Sequence, residues 1–190
     1  MATMQNKNLI PILVWLCGLA VAVAQSTIDP ALVAKANAGD PAAEVQVGEN
    51  YEAGKGVAQD YQQAAVWYQK AANQGNIPGE LHLAELYRDG GGKVFPRDPA
   101  KSAQWYLKAA DQGDVGAQGT MGMLYTLGVG VPQSDVEAYF WLDLASSVPG
   151  PGQARYDMNR QNVGTRITAD QLDAIEQRVA AWKARHPHHD

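Results

Sequence analysis

Gly54-Lys-Gly-Val-Ala-Gln-Asp-Tyr-Gln-Gln-Ala-Ala-Val-Trp-Tyr-Gln-Lys-Ala-Ala-Asn-Gln-Gly75 decides the fold, because the chain returns to it twice. A second copy runs from Gly90 to Gly113 and keeps Asp98, Trp105-Tyr106, Lys108-Ala109-Ala110 and Gln112-Gly113. A third opens at Gly128-Val-Gly-Val131 and keeps Ala138 and Trp141. Trp67, Trp105 and Trp141 thus stand 38 and 36 residues apart. Self-similarity at a period of about 20 to 50 residues marks units that cannot bury their apolar faces alone and must stack on one another.

Each unit reads as a pair of helices. Ahead of the quoted stretch, Asp40-Pro41 supplies an N-cap followed by proline at the first helical position. Val47, Gly48 and Tyr51 then share one helical face, and Gly54 to Gly56 ends the helix. The second helix starts after Asp60, turns Ala64, Trp67, Tyr68 and Ala71 to one side, and stops at Gly75. The next unit repeats this from Pro78 with Leu83, Ala84 and Tyr87, after which the loop Gly90 to Pro96 is two residues longer. The third places Met121, Gly122 and Tyr125 at the same stations. The aromatic series Tyr51, Trp67, Tyr87, Trp105, Tyr125 and Trp141 is expected to be structural core, with the tryptophans wedged between successive helix pairs. Gly48, Ala84 and Gly122 put a small residue at one station of every first helix, where only a small side chain lets two helices approach closely.

The flanks complete an all-α solenoid of about three helix pairs with a C-terminal capping helix. Asp29-Pro30 opens a leading helix that runs to about Ala38. Val148-Pro-Gly-Pro-Gly-Gln153 is a turn cluster before a helix of about Ala154 to Asn162, and Thr168 to Gln171 forms a capping box. The last helix sets Leu172, Ile175, Val179 and Trp182 on one face, as the end unit of a stack requires. The expected divisions are 1–24, a signal peptide; 25–40, a leading helix; 41–147, three repeats over about 41–75, 76–113 and 114–147; 148–185, cap helices; and 186–190, a His-rich tail.

Residues 1–24 carry Lys7 and no acid, an apolar run from Leu9 to Ala24, and an Ala22-Val23-Ala24 end, which is the pattern of a secretory signal peptide cleaved after Ala24. The apolar run is shorter than the ~20 residues that span a bilayer. Cys17 follows the bulky Trp15-Leu16, unlike a lipid-attachment site, and is the sole cysteine. A mature chain from Gln25 therefore has none, and packing alone holds it together even where disulfides can form. Loss of Lys7 moves the net charge from -5 to -6. Such an acidic chain gains nothing from counterion release, which argues against nucleic acid and anionic lipid as partners.

Motifs that carry chemistry fail on inspection. Gly90-Gly-Gly-Lys93 has Arg88 where a phosphate loop needs glycine and Val94 where it needs Ser or Thr. None of Ser26, Ser102, Ser134, Ser146 or Ser147 has Lys three places on, as a β-lactam-recognising serine hydrolase requires. Glu49 with Glu52, and Glu85 with Arg88, read as solvated helix faces. His82 and Glu85 have ligand spacing but no second His on that helix. The tail His186-Pro-His-His-Asp190 offers at most adventitious metal binding. No catalytic residue, cofactor or metal site is expected.

With Gly48, Tyr51, Gly54, Gly56, Val57, Asp60, Tyr61, Ala64, Trp67, Tyr68, Ala71, Ala72, Gln74 and Gly75, the chain resembles the Sel-like repeat family, cousins of tetratricopeptide repeats, from about Ala36 to Trp182. It departs from the pattern at Gly79, in the longer second loop, and at Ser134. The resemblance implies a right-handed superhelix of antiparallel helix pairs that binds a protein or peptide. Exported bacterial members act in envelope regulation, assembly or host contact. Cysteine-rich relatives are linked with β-lactams, but this chain lacks their cysteines. The chain is therefore expected to be a monomeric, periplasmic or secreted, non-enzymatic scaffold. An envelope hydrolase acting on peptidoglycan or β-lactams and a purely structural envelope element are the alternatives. In tetratricopeptide-like stacks the concave side is lined by residues about one position after the core stripe. Those are Val45, Glu49 and Glu52; Leu81, Glu85 and Arg88; and Gly119, Met123 and Thr126. Formal charge over these first helices runs from -3 through -2 to zero, so the expected groove is acidic at one end and apolar around Met123.

Overall fold

The computed structural model describes residues 27–187. The expected signal peptide with Cys17 and the tail residues 188–190 lie outside these. Among the described residues the chain forms nine helices: α1 Pro30–Asn37, α2 Pro41–Ala53, α3 Tyr61–Asn73, α4 Ile77–Asp89, α5 Pro99–Asp111, α6 Val115–Leu127, α7 Asp135–Ser147, α8 Gln153–Gly164 and α9 Ala169–Arg185. None of the described helices is long and apolar enough to cross a membrane.

Short polar side chains start these helices by satisfying amides that have no partner within the helix. Asp40 accepts from the Ala43 N–H at 2.9 Å, Asp98 from Lys101 at 3.0 Å and Asp114 from Ala117 at 2.7 Å. Ser134 fills the same role for α7, accepting from Glu137 at 3.3 Å, so the departure from Asp at this position keeps the cap. The capping box of α9 is complete, with Thr168 and Gln171 bonded reciprocally. α2 and α6 end on Gly54 and Gly128, whose φ of 68° and 69° a side chain would strain. The longer second loop folds back on itself, with the Gly91 N–H donating to the Phe95 carbonyl at 2.7 Å.

Each helix from α1 to α7 packs against the next. First helices also meet, α2 against α4 and α6 against α8, while α9 lies on α7. α1 stands where the second helix of a preceding unit would. The loop at Gly56 presses on Thr27 and Ile28 just before it, as the loop at Gly130 presses on Pro99 and Ala100 at the start of α5. The pairs close at one station. A Cβ at Gly48 would lie 2.5 Å from the Tyr68 ring, and one at Gly122 would lie 2.5 Å from Leu142 Cγ. In the middle unit Ala84 and Tyr106 meet in one buried cluster. Gly79, another departure, is equally filled, since a Cβ there would stand 2.7 Å from that of Ala71.

The core belongs to the residue after each tryptophan. Tyr68 is 0% exposed, Tyr106 4% and Leu142 0%. Trp67 and Trp105 are half-buried, as are Tyr51, Tyr87 and Tyr125, and of the expected aromatic core only Trp141 is buried. The physical reason is angular. One residue along a helix turns the side chain by about 100°, so only one of two adjacent aromatics can point at the partner helix. Trp105 still borders two buried clusters, joining one repeat to the next. Lys70 and Lys108 lay their ammonium groups over the outer faces of Trp67 and Trp105, 3.5 and 3.8 Å from the ring centroids. The third unit has Leu144 at that station, and there α9 covers Trp141 with Ile175, Val179 and Trp182. Arg178 from α9 fixes the cover, pairing with Glu137 at 2.8 Å and lying over Phe140.

A second set of joints is polar. Glu44 and Glu80 are buried and accept from Gln74 and Gln112, each at 2.7 Å. Burial pushes both carboxyls up from the ordinary range, while Lys70 and Lys108 respectively, together with the glutamine bonds, pull them back. The third unit has Val148 where a partner glutamine would stand, and its equivalent of the glutamate is Gln118, which is buried and donates to the Ala110 carbonyl at 3.2 Å.

If the empty station at Gly122 sets the approach of α6 and α7, Gly122→Ala should cost about 1–3 kcal/mol by overpacking and Leu142→Ala about 2–5 kcal/mol by leaving a cavity. The double variant should cost at least ~1 kcal/mol less than the sum, because the shorter side chain removes the clash. Denaturant melts of the four proteins check this, and strict additivity would show that the two residues do not oppose each other.

Candidate functional site

The expected groove residues divide by station. Val45 and Gly119 do not face solvent, and Leu81 faces it only in part. Val45 is 7% exposed in the cluster around Tyr68, Leu81 is half-buried against the core, and Gly119 is covered by the Tyr156 ring of α8. Three residues before the small station is nearly a full helical turn, so these positions point at the neighbouring helix as that station does. Glu49, Glu85 and Met123, one position after the small station, are all exposed. They form the outward row of α2, α4 and α6.

Glu52 and Arg88 carry a structural task. Tyr68 donates its hydroxyl to Glu52 Oε2 at 2.6 Å, and Arg88 Nη1 donates to the Tyr106 hydroxyl at 2.7 Å. Both phenols are buried, and each finds its partner one turn beyond the small station on the facing helix. Burial drives the Tyr68 hydroxyl up, and the bond to Glu52 and the charges of Glu52, Glu49 and Glu85 hold it protonated. Burial takes Tyr106 up to about 12 against the opposing pull of Arg88. Arg88 is itself held charged, first by its bond to Asp89. The third unit has Leu142 in place of tyrosine, and the corresponding Thr126 turns back to the Gly122 carbonyl of its own helix at 2.8 Å.

Between repeats one and two, the His82 ring stacks on Tyr68 with centroids 4.8 Å apart and meets Glu49 Oε1 through Nε2 at 3.2 Å. His82 is thereby a joint between α4, α2 and α3. Glu85 makes no hydrogen bond or ion pair among the described residues. No group of three His, Cys, Asp or Glu side chains that could hold a metal is present among the described residues.

At the other end of the row a cleft of about 420 Å³ opens between α6 and α8. Met123, Thr126 and Leu127 form one wall, Asn159, Asn162 and Arg166 the other, and buried Val163 lies at its base. Met123 is 41% exposed and Leu127 64%. Arg166 is spoken for by Asp135, which it grips with two nitrogens. Asn159 and Asn162 make no side-chain hydrogen bond among the described residues. α8 is held to α7 by the ion pair of Arg160 with Asp143. The α8 wall was not read from the sequence. The signal was Gly119, a second glycine in α6 one turn before Gly122, which makes room for Tyr156 and so brings α8 alongside.

A model of the Sel1 repeat matches residues 41–76, 77–114 and 117–147, more than half of the chain. The chain belongs to the Sel1 repeat family. Among solved structures, the Sel1 repeat protein of Oxalobacter formigenes is similar at 29% identity, covering 70% of this chain and 96% of that one with a TM-score of 0.59. A second, c5321, a protective antigen present in uropathogenic Escherichia coli strains and displaying an SLR fold, is 21% identical with a TM-score of 0.44. The match covers 80% of this chain and 55% of that one. No curated protein matched the chain. A Sel1 repeat protein is a scaffold of helix pairs, and in this one the matched units end at α7, so α8 and the cleft it closes are additions to the three repeats.

The two roles assigned to the acidic residues separate by mutation. Glu52→Ala strands a buried hydroxyl and should cost about 1–3 kcal/mol, whereas Glu49→Ala breaks a partly exposed pair and should stay within about 1 kcal/mol. Equal losses in thermal melts would contradict the division.

Proposed function

We propose that this Sel1 repeat protein holds another polypeptide along the outward row of its first helices, and does so as a monomeric, non-catalytic scaffold after export to the periplasm or beyond. The α6–α8 cleft carries the reading. It is an apolar hollow continuous with the row of Glu49, Glu85 and Met123, bordered by the Asn159 and Asn162 amides, which have no hydrogen-bond partner among the described residues. Clefts with apolar walls and a few convergent polar groups are where proteins take ligands. Met123 and Leu127 present flexible apolar surface that would otherwise be exposed to water without return, and Met side chains adapt to varied partners. Export is supported by Lys7, the apolar run to Ala24 and the Ala22-Val23-Ala24 end. Roles in envelope regulation, assembly or host contact fit such a scaffold.

A photo-crosslinking amino acid placed at Met123, and in a separate chain at Gln63 on the exposed side of α3, tests the reading in cells. Position 123 should yield a discrete crosslinked partner and position 63 little or none. Equal yields, or a partner captured from position 63 alone, would move the interface to the second helices.

A further inference from the structure

Building on that reading, we propose that the held segment is extended and carries a basic side chain for Glu85 and, about five residues away, an aliphatic side chain for the α6–α8 cleft. Three observations place the basic group. Glu85 is exposed and makes no hydrogen bond or ion pair among the described residues, while Glu52 is taken by Tyr68 and Glu49 by His82. The chain thus leaves one carboxylate of this acidic end open to a partner. Glu49 and Glu52 add to its acidic field, which Arg88 one turn on in α4 offsets only in part because Arg88 is bound first to Asp89, favouring approach of a cation.

The aliphatic group is placed by the other end. α6 carries no charged residue, and the one charge in the cleft, Arg166, is already neutralised by Asp135. A hollow of about 420 Å³ with Met123, Leu127 and Val163 around it accepts a leucine or methionine side chain without burying an unpaired charge. Asn159 and Asn162 stand at i and i+3 on α8, so both amides face the same side and offer donors and acceptors to the segment's own backbone.

The spacing follows from the stack. Glu85 and Met123 are the same station on α4 and α6, which both pack on α5, and helices packed on a common neighbour stand roughly 10 Å apart, a little beyond the ~8–10 Å of direct contact. The cleft lies roughly half a helix spacing beyond α6, which puts the two contacts on the order of 15 Å apart. An extended chain advances about 3.3 Å per residue, and the separation corresponds to about five residues.

The experiment is an NMR titration of the isotope-labelled protein with synthetic Ser/Gly peptides bearing one Arg and one Leu. They are separated by none, by about five or by about ten residues, in both orders. The peptide with the middle spacing, in at least one order, should bind on the order of threefold or more tightly than the others and shift amides of α4, α6 and α8. Glu85→Gln should remove most of its salt dependence, and Leu127→Asp, at a 64% exposed position where folding is spared, should weaken it at every salt concentration. Indifference to spacing, no binding by any of the peptides, or binding unaffected by both variants overturns this inference. The scaffold reading stands or falls separately, on crosslinking from position 123.

Discussion

The fold depends on a missing side chain. At Gly48 and Gly122 the first helix of a repeat offers bare backbone, and at Ala84 a single methyl, to the bulkiest inward residue of the second helix. The opposing groups come so close that a Cβ would overlap the Tyr68 ring or Leu142. That approach fixes the helix pair, and the pair fixes everything outside it. The preceding tryptophan turns to the rim of the stack, where a lysine covers it, or, in the last repeat, α9 does. Dispersion at such contacts is short-ranged, so a fraction of an ångström of extra separation forfeits much of it.

Placing tyrosine against a small residue creates a second demand, because a buried hydroxyl must have a partner. The chain meets it from the facing helix, with Glu52 for Tyr68 and Arg88 for Tyr106. Where leucine replaces tyrosine, the charge at the matching position is replaced by Thr126. The glutamate and glutamine joints behave alike. Glu44 and Glu80 keep their glutamine partners, and the third unit, without one, carries Gln118. Part of the fall in charge along the first helices therefore answers internal hydrogen-bonding needs. The remainder, above all exposed Glu85 against uncharged α6, answers none of them.

Helix boundaries and pairing were legible in the sequence because they rest on local rules: Asp-Pro starts, glycine stops and a period of 38 and 36 residues. The small station was legible for the same reason, since it recurs. What escaped was direction. Trp67 and Tyr68 are neighbours in sequence and indistinguishable in hydrophobic weight, and only the observed helix crossing shows that the tyrosine goes inward. Val45 was lost to the same ambiguity, one turn of helix from Gly48. The cleft could not be anticipated from the repeat pattern, because α8 lies outside it. Its position follows from Gly119 admitting Tyr156 and from ion pairs of Arg160 and Arg166 with α7.

A series held together joint by joint should respond to damage locally, since in a stack each unit touches only its neighbours. Native-state hydrogen exchange on the Gly48→Ala chain tests this most directly, because the three atoms nearest the added methyl all belong to the Tyr68 ring of α3, so that it forces α2 and α3 apart. Exchange should accelerate strongly in α2 and α3, less in α4, and not measurably in α7 and α9. Uniform acceleration from α1 to α9 would contradict the account, showing one indivisible core in place of a chain of close approaches.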